Sequence, residues 1–203
     1  MDLKAAHPCV ILDRDGTLID VVRDEETGSI NVAFHPSQLV LLPGVVSGLQ
    51  ALVEHGFKLG IATNQPGPAK GHFSSEAVQR TNDALVALLR AEGIPIEAVA
   101  VCLHHPTGAP NGDTRLITAC DCRKPKPGLL HALDQTIGIL REESWMIGDS
   151  RADLEAAHAF GLRSALVFST QRCELCPLRV GPAGAPDIVA ARFDDVVARL
   201  LAE

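Results

Sequence analysis

Aromatic side chains are scarce in this sequence. It contains no tyrosine, one tryptophan and six phenylalanines among 203 residues. Proteins that bind single-stranded nucleic acid stack the bases on aromatic rings and bind the phosphates with cationic side chains. Cations are also in deficit, because 18 lysines and arginines stand against 25 aspartates and glutamates, which gives a formal net charge of -7. We therefore expect no nucleic acid among the partners of this protein.

Long apolar runs are absent as well. A membrane-spanning helix takes about 20 apolar residues, and no stretch of this sequence reaches that length. Residues 1–8 contain no apolar run of the kind that forms an export signal. We expect a cytoplasmic monomer with no membrane partner. With 203 residues, of which 46% are hydrophobic, the chain is long enough to bury one core, and we predict a single domain over 1–203.

Short apolar runs alternate with amphipathic stretches along the chain. This pattern predicts buried strands separated by helices, and Ser74 is the predicted N-cap of the second helix. Parallel neighbouring strands need crossovers of this length, so we predict an α/β fold with a doubly wound parallel sheet. The predicted strands are 9–12, 58–62, 98–103, 144–147 and 164–168, the helices are 44–54, 75–91, 127–137 and 152–160, and a last strand and helix lie within 187–203.

Two segments, 21–38 and 104–123, fit neither strand nor helix. Each follows a predicted strand, so both leave the carboxyl edge of the sheet, where open α/β folds bind their ligands. We predict that these two loops shape the functional site.

Two carboxylates directly follow the first predicted strand. In Asp13-Arg14-Asp15-Gly16-Thr17 the period-two alternation of a strand points Asp13 and Asp15 to the same side. Two neighbouring carboxylates repel each other unless a divalent cation or a proton lies between them, so the pattern indicates a metal site, an acid/base pair or both. Taken alone, Asp-Gly is also a common turn dipeptide, and the remaining junctions decide between these interpretations.

Further polar residues follow the other predicted strands. Thr63-Asn64-Gln65 ends the second, Lys124 precedes the helix after the third, and Asp149 with Asp153 follows the fourth. Together with Asp13 these residues supply a nucleophile, donors to phosphoryl oxygens, a neutralising cation and metal ligands. This is the set of groups that phosphoryl transfer requires.

Cysteine and histidine cluster in the second loop segment, at about 102–123. Cys102-Leu103-His104 and Cys120-Asp121-Cys122 supply three sulfurs and one imidazole, a tetrahedral set suited to structural zinc. His105 is the competing ligand, and the alternative interpretation is a group of reduced core thiols. Cys173 and Cys176 have the spacing of half a zinc site without a second pair nearby, and we interpret them as uncommitted thiols.

The four strand-end motifs resemble those of the haloacid dehalogenase superfamily of phosphatases over roughly residues 9–168. The resemblance implies that Asp13 attacks phosphorus, that Asp15 protonates the leaving oxygen and later deprotonates water, and that Thr63 and Lys124 hold the phosphoryl oxygens. It also implies a magnesium ion held by Asp13, the backbone carbonyl of Asp15, and Asp149.

A narrower resemblance rests on Cys-x-His-His-Pro, Cys-x-Cys-Arg-Lys-Pro and Thr-Asn-Gln. These motifs are similar to those of the D-glycero-D-manno-heptose 1,7-bisphosphate 7-phosphatase family, to which the histidinol-phosphate phosphatase domain is closely related. The resemblance implies hydrolysis of the 7-phosphate of a small phosphorylated sugar, and a zinc-ordered loop in place of a large cap domain. The implied substrate-binding residues are Arg14, Thr63, Asn64, Gln65, Arg123 and Lys124, with Arg123 on the second phosphate.

Two departures from that family leave the choice of sugar open. Pro66 stands where a serine is usual, and the 21–38 segment is longer and more acidic than the usual substrate loop. Histidinol phosphate is the alternative substrate, although a guanidinium at Arg123 favours a second phosphate. A catalytically silent scaffold of the same fold is the alternative from another class.

Overall fold

The computed structural model of the chain describes residues 6–23, 26, 28–168 and 185–203. Its strands are β1 (Cys9–Leu12), β2 (Val22–Arg23), β3 (Ile30–Asn31), β4 (Lys58–Asn64), β5 (Ala98–Cys102), β6 (Trp145–Gly148), β7 (Arg163–Val167) and β8 (Ile188–Ala190). Its helices are α1 (Val45–Glu54), α2 (Ser75–Ala91), α3 (Gly128–Ile137), α4 (Arg151–Phe160) and α5 (Phe193–Leu200). Short 3-10 turns form at Pro36–Gln38, Thr114–Leu116 and Arg141–Glu143.

Six of the strands form a parallel sheet in the order β5-β4-β1-β6-β7-β8. The chain moves from β1 to β4 and β5 on one side, then crosses back to β6 on the other side of β1. Ligand sites of open α/β sheets lie outside the carboxyl ends of the strands at such a reversal. The predicted doubly wound parallel α/β fold is confirmed.

The sheet separates two apolar cores. In β1, Val10 and Leu12 face a core formed with α1, α2 and α5, whereas Cys9 and Ile11 face a core formed with α3 and α4. All four side chains are fully buried, and burying one large aliphatic side chain contributes about 1.5–3 kcal/mol. Because both faces of β1 are covered, its sequence is continuously apolar rather than alternating.

The predicted strands and helices of the sheet are confirmed to within a few residues at each end. Helix α2 begins where predicted, and the Ser74 side chain accepts a hydrogen bond from the Ala77 backbone N–H. Strand β4 continues two residues beyond the predicted end, so Thr63 and Asn64 belong to the strand.

The prediction that 21–38 and 104–123 contain neither strand nor helix is wrong in detail. Strands β2 and β3 pair antiparallel within the first segment, and 3-10 turns form in both segments. A ladder of two residue pairs is too short to show as periodicity in the sequence. Among the described residues, no helix combines the length and the apolar character needed to cross a membrane. Cys173 and Cys176 lie outside the described residues.

Candidate active site

Asp13 leaves the carboxyl end of β1 inside the molecule. Its backbone N–H donates to the carbonyl of Ile147 at 2.9 Å, which continues the pairing of β1 with β6 by one residue. Only 8% of Asp13 is exposed. The chain then turns at Gly16 with φ +82°, where a Cβ would lie 2.1 Å from Oδ2 of Asp149. Glycine is therefore required at this position. Because it has no side chain, the Asp149 carboxylate can lie close to the backbone of residue 16.

Lys124 joins two of the carboxylates. Its Nζ donates to Asp13 Oδ1 at 2.5 Å, to Asp153 Oδ1 at 2.6 Å and to the carbonyl of Ala62 at 2.6 Å. These three acceptors match the three N–H bonds of an ammonium group. Burial opposes the charge of Lys124, but the attraction of Asp13 and Asp153 outweighs it and raises the pKa. Lys124 is thus a cation fixed over the nucleophile predicted from the sequence.

Asp149 and Asp153 come from the junction of β6 and α4. Oδ2 of Asp153 accepts hydrogen bonds from the backbone N–H of Ser150 at 3.1 Å and from its hydroxyl at 2.6 Å. Since Lys124 occupies Oδ1, both oxygens of Asp153 are engaged. Asp153 therefore holds Lys124 and the first residues of the β6–α4 junction in place.

Carboxylates outnumber cations in this cluster. One ligand atom from each of Asp13, Asp149 and Asp153 lies within 4.8 Å of the others. Burial raises the pKa of Asp13 to about 7, against the opposing effect of Lys124 and with the aid of Asp153 and Asp15. Burial, Asp13 and Asp153 raise the pKa of Asp149 to about 8. A hard divalent cation with oxygen ligands would relieve this excess of negative charge, so the donor set fits magnesium.

A cavity of about 180 Å³ opens over these residues. Asp13, Asp15, Thr63, Asn64 and Lys124 all line it, as do Val32, Ser150, Ala152 and Asp153. A larger hollow of about 460 Å³ lies between the N-terminus of α2 and residues 111–115, away from these carboxylates. Because the predicted strand-end residues Asp13, Thr63 and Lys124 line the smaller cavity and not the larger hollow, we take the smaller cavity as the candidate active site.

Thr63 and Asn64 reach the cavity from the end of β4. The Thr63 hydroxyl, 1% exposed, accepts a hydrogen bond from Gln65 Nε2 at 2.9 Å. The amide of Asn64 donates to the carbonyl of Lys124 and accepts from its N–H, both at 3.0 Å. Asn64 therefore fixes the backbone that carries Lys124, a function that its sequence position alone did not predict.

The structure places Arg14 and Gln65, the predicted substrate-binding residues, beside the cavity rather than on its wall. Both side chains are fully buried, and neither lines the cavity. The Arg14 guanidinium donates to Asp15, to Asn82 Oδ1 and to the carbonyl of Ala33, while Gln65 donates to Asp15 and Thr63. Their polar groups are directed at these acceptors rather than into the cavity.

Asn82 is a residue of this site that the sequence analysis missed. It lies on α2 among buried residues at helical spacing, which include Val78, Thr81, Leu85 and Leu89. A buried asparagine needs a hydrogen-bond partner, so a polar residue on an otherwise apolar helix face was a usable signal. Val32, which lines the cavity from the 21–38 segment, carried no such signal.

The four predicted zinc ligands meet at the end of β5. One ligand atom from each of Cys102, His104, Cys120 and Cys122 lies within 4.8 Å of the others, so the cluster could hold a metal ion. The Sγ atoms of Cys102 and Cys122 are 3.1 Å apart, and His104 Nδ1 lies 3.3 Å from Sγ of Cys122. Burial raises the pKa of the Cys102 and Cys122 thiols in the metal-free chain. The competing ligand His105 turns away, and its Nδ1 accepts from the Thr107 and Gly108 backbone.

Arg123 follows the cluster directly. Its guanidinium donates to the carbonyl of His104 at 3.4 Å, and the residue is half-buried. It does not line the cavity of about 180 Å³. The structure thus brings Arg123 beside the cysteine cluster, where its guanidinium is hydrogen-bonded to the backbone of His104.

Comparisons with known proteins agree with this geometry. A family model described as HAD-hydrolase-like matches residues 121–196. D-glycero-beta-D-manno-heptose-1,7-bisphosphate 7-phosphatase of Pseudomonas putida is 33% identical over 189 residues, which are 93% of this chain and 95% of the relative. The protein of the same name from Rhodopseudomonas palustris is 33% identical over 156 residues, 77% of this chain and 81% of the relative.

A solved structure shares the fold over nearly the whole length. It is the D,D-heptose 1,7-bisphosphate phosphatase from B. bronchiseptica, complexed with magnesium and phosphate. The two chains are 26% identical and superpose with a TM-score of 0.75, covering 96% of this chain and 98% of the other.

Proposed function

Because the chain belongs to the D-glycero-beta-D-manno-heptose-1,7-bisphosphate 7-phosphatase family of HAD-like hydrolases, we propose that it hydrolyses the 7-phosphate of this bisphosphate with the help of magnesium. One observation carries the proposal. Lys124 Nζ lies 2.5 Å from Asp13 and 2.6 Å from Asp153 in the cavity, so a buried cation holds the carboxylate that would act as nucleophile. The names of the relatives supply the sugar and its beta anomer.

In the first half of the proposed reaction, an oxygen of the Asp13 carboxylate attacks phosphorus. The bond between phosphorus and O7 of the sugar breaks as the new bond forms, and Asp15 donates its proton to the leaving oxygen. The Thr63 hydroxyl and the Lys124 ammonium bind oxygens of the transferring group and offset the charge that gathers there. Both line the cavity with Asp13, which supports these assignments.

In the second half, water hydrolyses the phospho-aspartate. Asp15, now a carboxylate, takes a proton from the water as the water oxygen bonds to phosphorus and the bond to Asp13 breaks. Phosphate leaves, and both aspartates return to their starting states. One side chain therefore acts first as acid and then as base.

Magnesium would be held by the carboxylates of Asp13 and Asp149 and the backbone carbonyl of Asp15. When bound, it would offset the negative charge shared by the nucleophile and the phosphoryl group. The excess of carboxylates described above and the magnesium in the B. bronchiseptica complex support this part of the proposal.

Zinc would be held by Cys102, His104, Cys120 and Cys122. Three sulfurs and one imidazole match a closed, structural zinc site with no position left for water. Such a site would fix the loop that carries Arg123, which we propose binds the second, non-reacting phosphate. Metal analysis of the purified protein should find one zinc per chain, and Cys120→Ser should lose it while Cys9→Ala keeps it. Wild-type protein without zinc would remove this part of the proposal.

The decisive experiment is steady-state phosphate release with magnesium from each anomer of the heptose 1,7-bisphosphate and from histidinol phosphate. We expect catalytic efficiency for the beta bisphosphate to exceed that for histidinol phosphate by at least about a hundredfold, since a second phosphate gives Arg123 a partner. Asp13→Asn should abolish turnover, whereas Asp195→Asn, an exposed change on α5, should not. An active Asp13→Asn variant would refute the phospho-aspartate, and an inactive wild-type protein would favour a silent scaffold.

The proposal includes a single phosphatase domain over 1–203 that works as a cytoplasmic monomer on a small phosphorylated sugar. A net charge of -7 supports the exclusion of nucleic acid as a partner. Light scattering of the purified chain tests the monomer, and a second species at twice the mass would contradict it.

A further inference from the structure

Arg14 is a fully buried arginine between the two aspartates of the Asp-x-Asp motif. Its Nε and one terminal nitrogen each donate to Asp15, to Oδ2 and Oδ1 respectively, at 3.0 Å. That terminal nitrogen also donates to the carbonyl of Ala33 at 2.8 Å, and the other donates to Asn82 Oδ1 at 2.7 Å. The guanidinium is thus fixed from three sides, by the motif itself, the 21–38 segment and α2.

The two oxygens of Asp15 are not equivalent. Oδ2 accepts from Arg14 Nε at 3.0 Å and from Gln65 Nε2 at 2.6 Å, whereas Oδ1 accepts from Arg14 alone among the residues that the structure describes. A carboxylate oxygen offers about two acceptor positions. Both positions of Oδ2 are therefore filled, and one position of Oδ1 remains open while Asp15 lines the cavity.

We propose that Arg14 and Gln65 are positioning residues that lock the Asp15 carboxylate, so that Oδ1 is the oxygen that carries the transferred proton. This rests on the proposed function. In the first step, Oδ1–H gives its proton to the leaving oxygen as the phosphorus–oxygen bond breaks. In the second, Oδ1 takes a proton from the attacking water as the bond between phosphorus and Asp13 breaks. Arg14 itself transfers no proton in either step.

The surroundings of Arg14 fit an orienting function better than a purely structural one. Asn82, 4% exposed, accepts from Arg14 through Oδ1, while its Nδ2 has no hydrogen-bond partner within the described part of the chain. Likewise Gln65 directs its NH2 group at Asp15 and Thr63 and leaves Oε1 unpartnered. Leaving a buried polar atom without a partner destabilises the fold. Each amide side chain therefore leaves one buried polar atom unsatisfied while its other polar atom holds a group beside Asp15.

The test compares two substrates that differ in their need for an acid. The sugar oxygen must be protonated as it leaves, whereas 4-nitrophenolate leaves without a proton. We would measure the rate of phospho-enzyme formation from the heptose bisphosphate and from 4-nitrophenyl phosphate in rapid-mixing experiments with Gln65→Met and Arg14→Lys. Gln65→Met keeps the length of the side chain and leaves Arg14 intact, and Arg14→Lys keeps the charge but cannot bind both oxygens.

We expect both variants to form phospho-enzyme from the sugar substrate at least about tenfold more slowly, within the factor of about 10²–10⁴ that general acid catalysis contributes. Formation from 4-nitrophenyl phosphate should change less than threefold, and a burst of 4-nitrophenolate should appear because hydrolysis of the intermediate still needs the base. Gln79→Met and Arg80→Lys, which change exposed residues of α2, are the matched controls and should behave as wild type.

The ratio of the two rates is the readout, because partial unfolding lowers both alike and cancels. If the ratio stays within threefold of wild type in both variants, Arg14 and Gln65 do not position the acid and the inference is wrong. In that case an active wild-type protein with an inactive Asp13→Asn variant still supports the proposed function. Failure of the proposed function would instead appear as turnover by Asp13→Asn or as none by wild type.

Discussion

Replacing Lys124 by methionine removes one charge from the centre of the site and keeps the length of the side chain. In the wild-type protein the ammonium has three acceptors, Asp13, Asp153 and the carbonyl of Ala62, and its side chain is 3% exposed. Without it, the carboxylates of Asp13, Asp149 and Asp153 face one another, and no other cation among the described residues pairs with them. The variant therefore perturbs both the chemistry and the stability.

The expected loss of activity is large. Removing one preorganised donor from a site of developing charge costs about 10²–10³ in kcat. Since Lys124 would bind the phosphoryl group and also hold the nucleophile, we expect the upper end, about 10³, which corresponds to about 4 kcal/mol. The loss should persist at saturating magnesium, because the metal would bind at a different position.

The expected loss of stability is smaller than for most broken buried ion pairs. Removing one partner of such a pair costs about 3–5 kcal/mol when the other stays charged. Here burial already raises the pKa of Asp13 to about 7 and that of Asp149 to about 8. Proton uptake by these carboxylates near neutral pH can thus replace the lost positive charge. We expect the free energy of unfolding to fall by about 1–3 kcal/mol at pH 7 in the absence of magnesium.

Phosphate release measures the first effect and urea unfolding the second. Lys126→Met is the matched control, because Lys126 is 54% exposed and pairs with the exposed Asp121. Exposed pairs contribute about 0–1 kcal/mol, so the control should lose little of either quantity. A Lys124→Met enzyme with kcat within tenfold of wild type would refute the reasoning.

Three further predictions concern the surroundings of the nucleophile. Without magnesium, the free energy of unfolding should fall as the pH rises from about 5 to 8, because the raised pKa values of Asp13 and Asp149 make the folded state bind more protons in this range; a urea midpoint that is constant or rises would contradict this. Gly16→Ala should weaken magnesium activation at least about tenfold by displacing Asp149, while Gly56→Ala, at φ +84° but in open space, should not; magnesium titrations of activity measure both. Phe73→Ala should raise KM more than it lowers kcat, because Phe73 stacks on Phe34, with ring centroids 5.0 Å apart, and Phe34 is two residues along the chain from Val32 of the cavity wall; equal effects on both constants would contradict this.

Much of the fold could be predicted because the hydrophobic pattern and the capping residues of each segment indicate the same strand or helix that packing in the folded protein requires. Runs such as Val10–Leu12 are apolar at every position, as a strand covered on both faces requires. Ser74 and the amphipathic pattern after it defined α2 at both ends. The cluster of Cys102, His104, Cys120 and Cys122 could be predicted equally well, because these residues form two pairs with one residue between the members of each pair.

The structures of the two loop segments, 21–38 and 104–123, could not be predicted in the same way. Their shape depends on contacts between segments that are distant in the sequence. Asp113 donates its backbone N–H to the carbonyl of Pro68 at 2.9 Å, and Ala109 donates to that of Ala69 at 3.1 Å. Gly112 has no room for a Cβ because Ala69 lies against it. Such backbone contacts leave almost no trace in hydropathy or spacing.

The same distinction applies to Arg14 and Gln65. The resemblance placed both residues at the site, and the structure places both side chains against Asp15. Which way each side chain turns was decided by acceptors 19 and 68 positions from Arg14, at Ala33 and Asn82, and 50 positions from Gln65, at Asp15. A buried guanidinium must satisfy its donors wherever acceptors lie, and those acceptors come from other elements of the fold. Local patterns therefore predict which residues meet at a site, whereas tertiary partners determine whether a cation binds substrate or orients an acid.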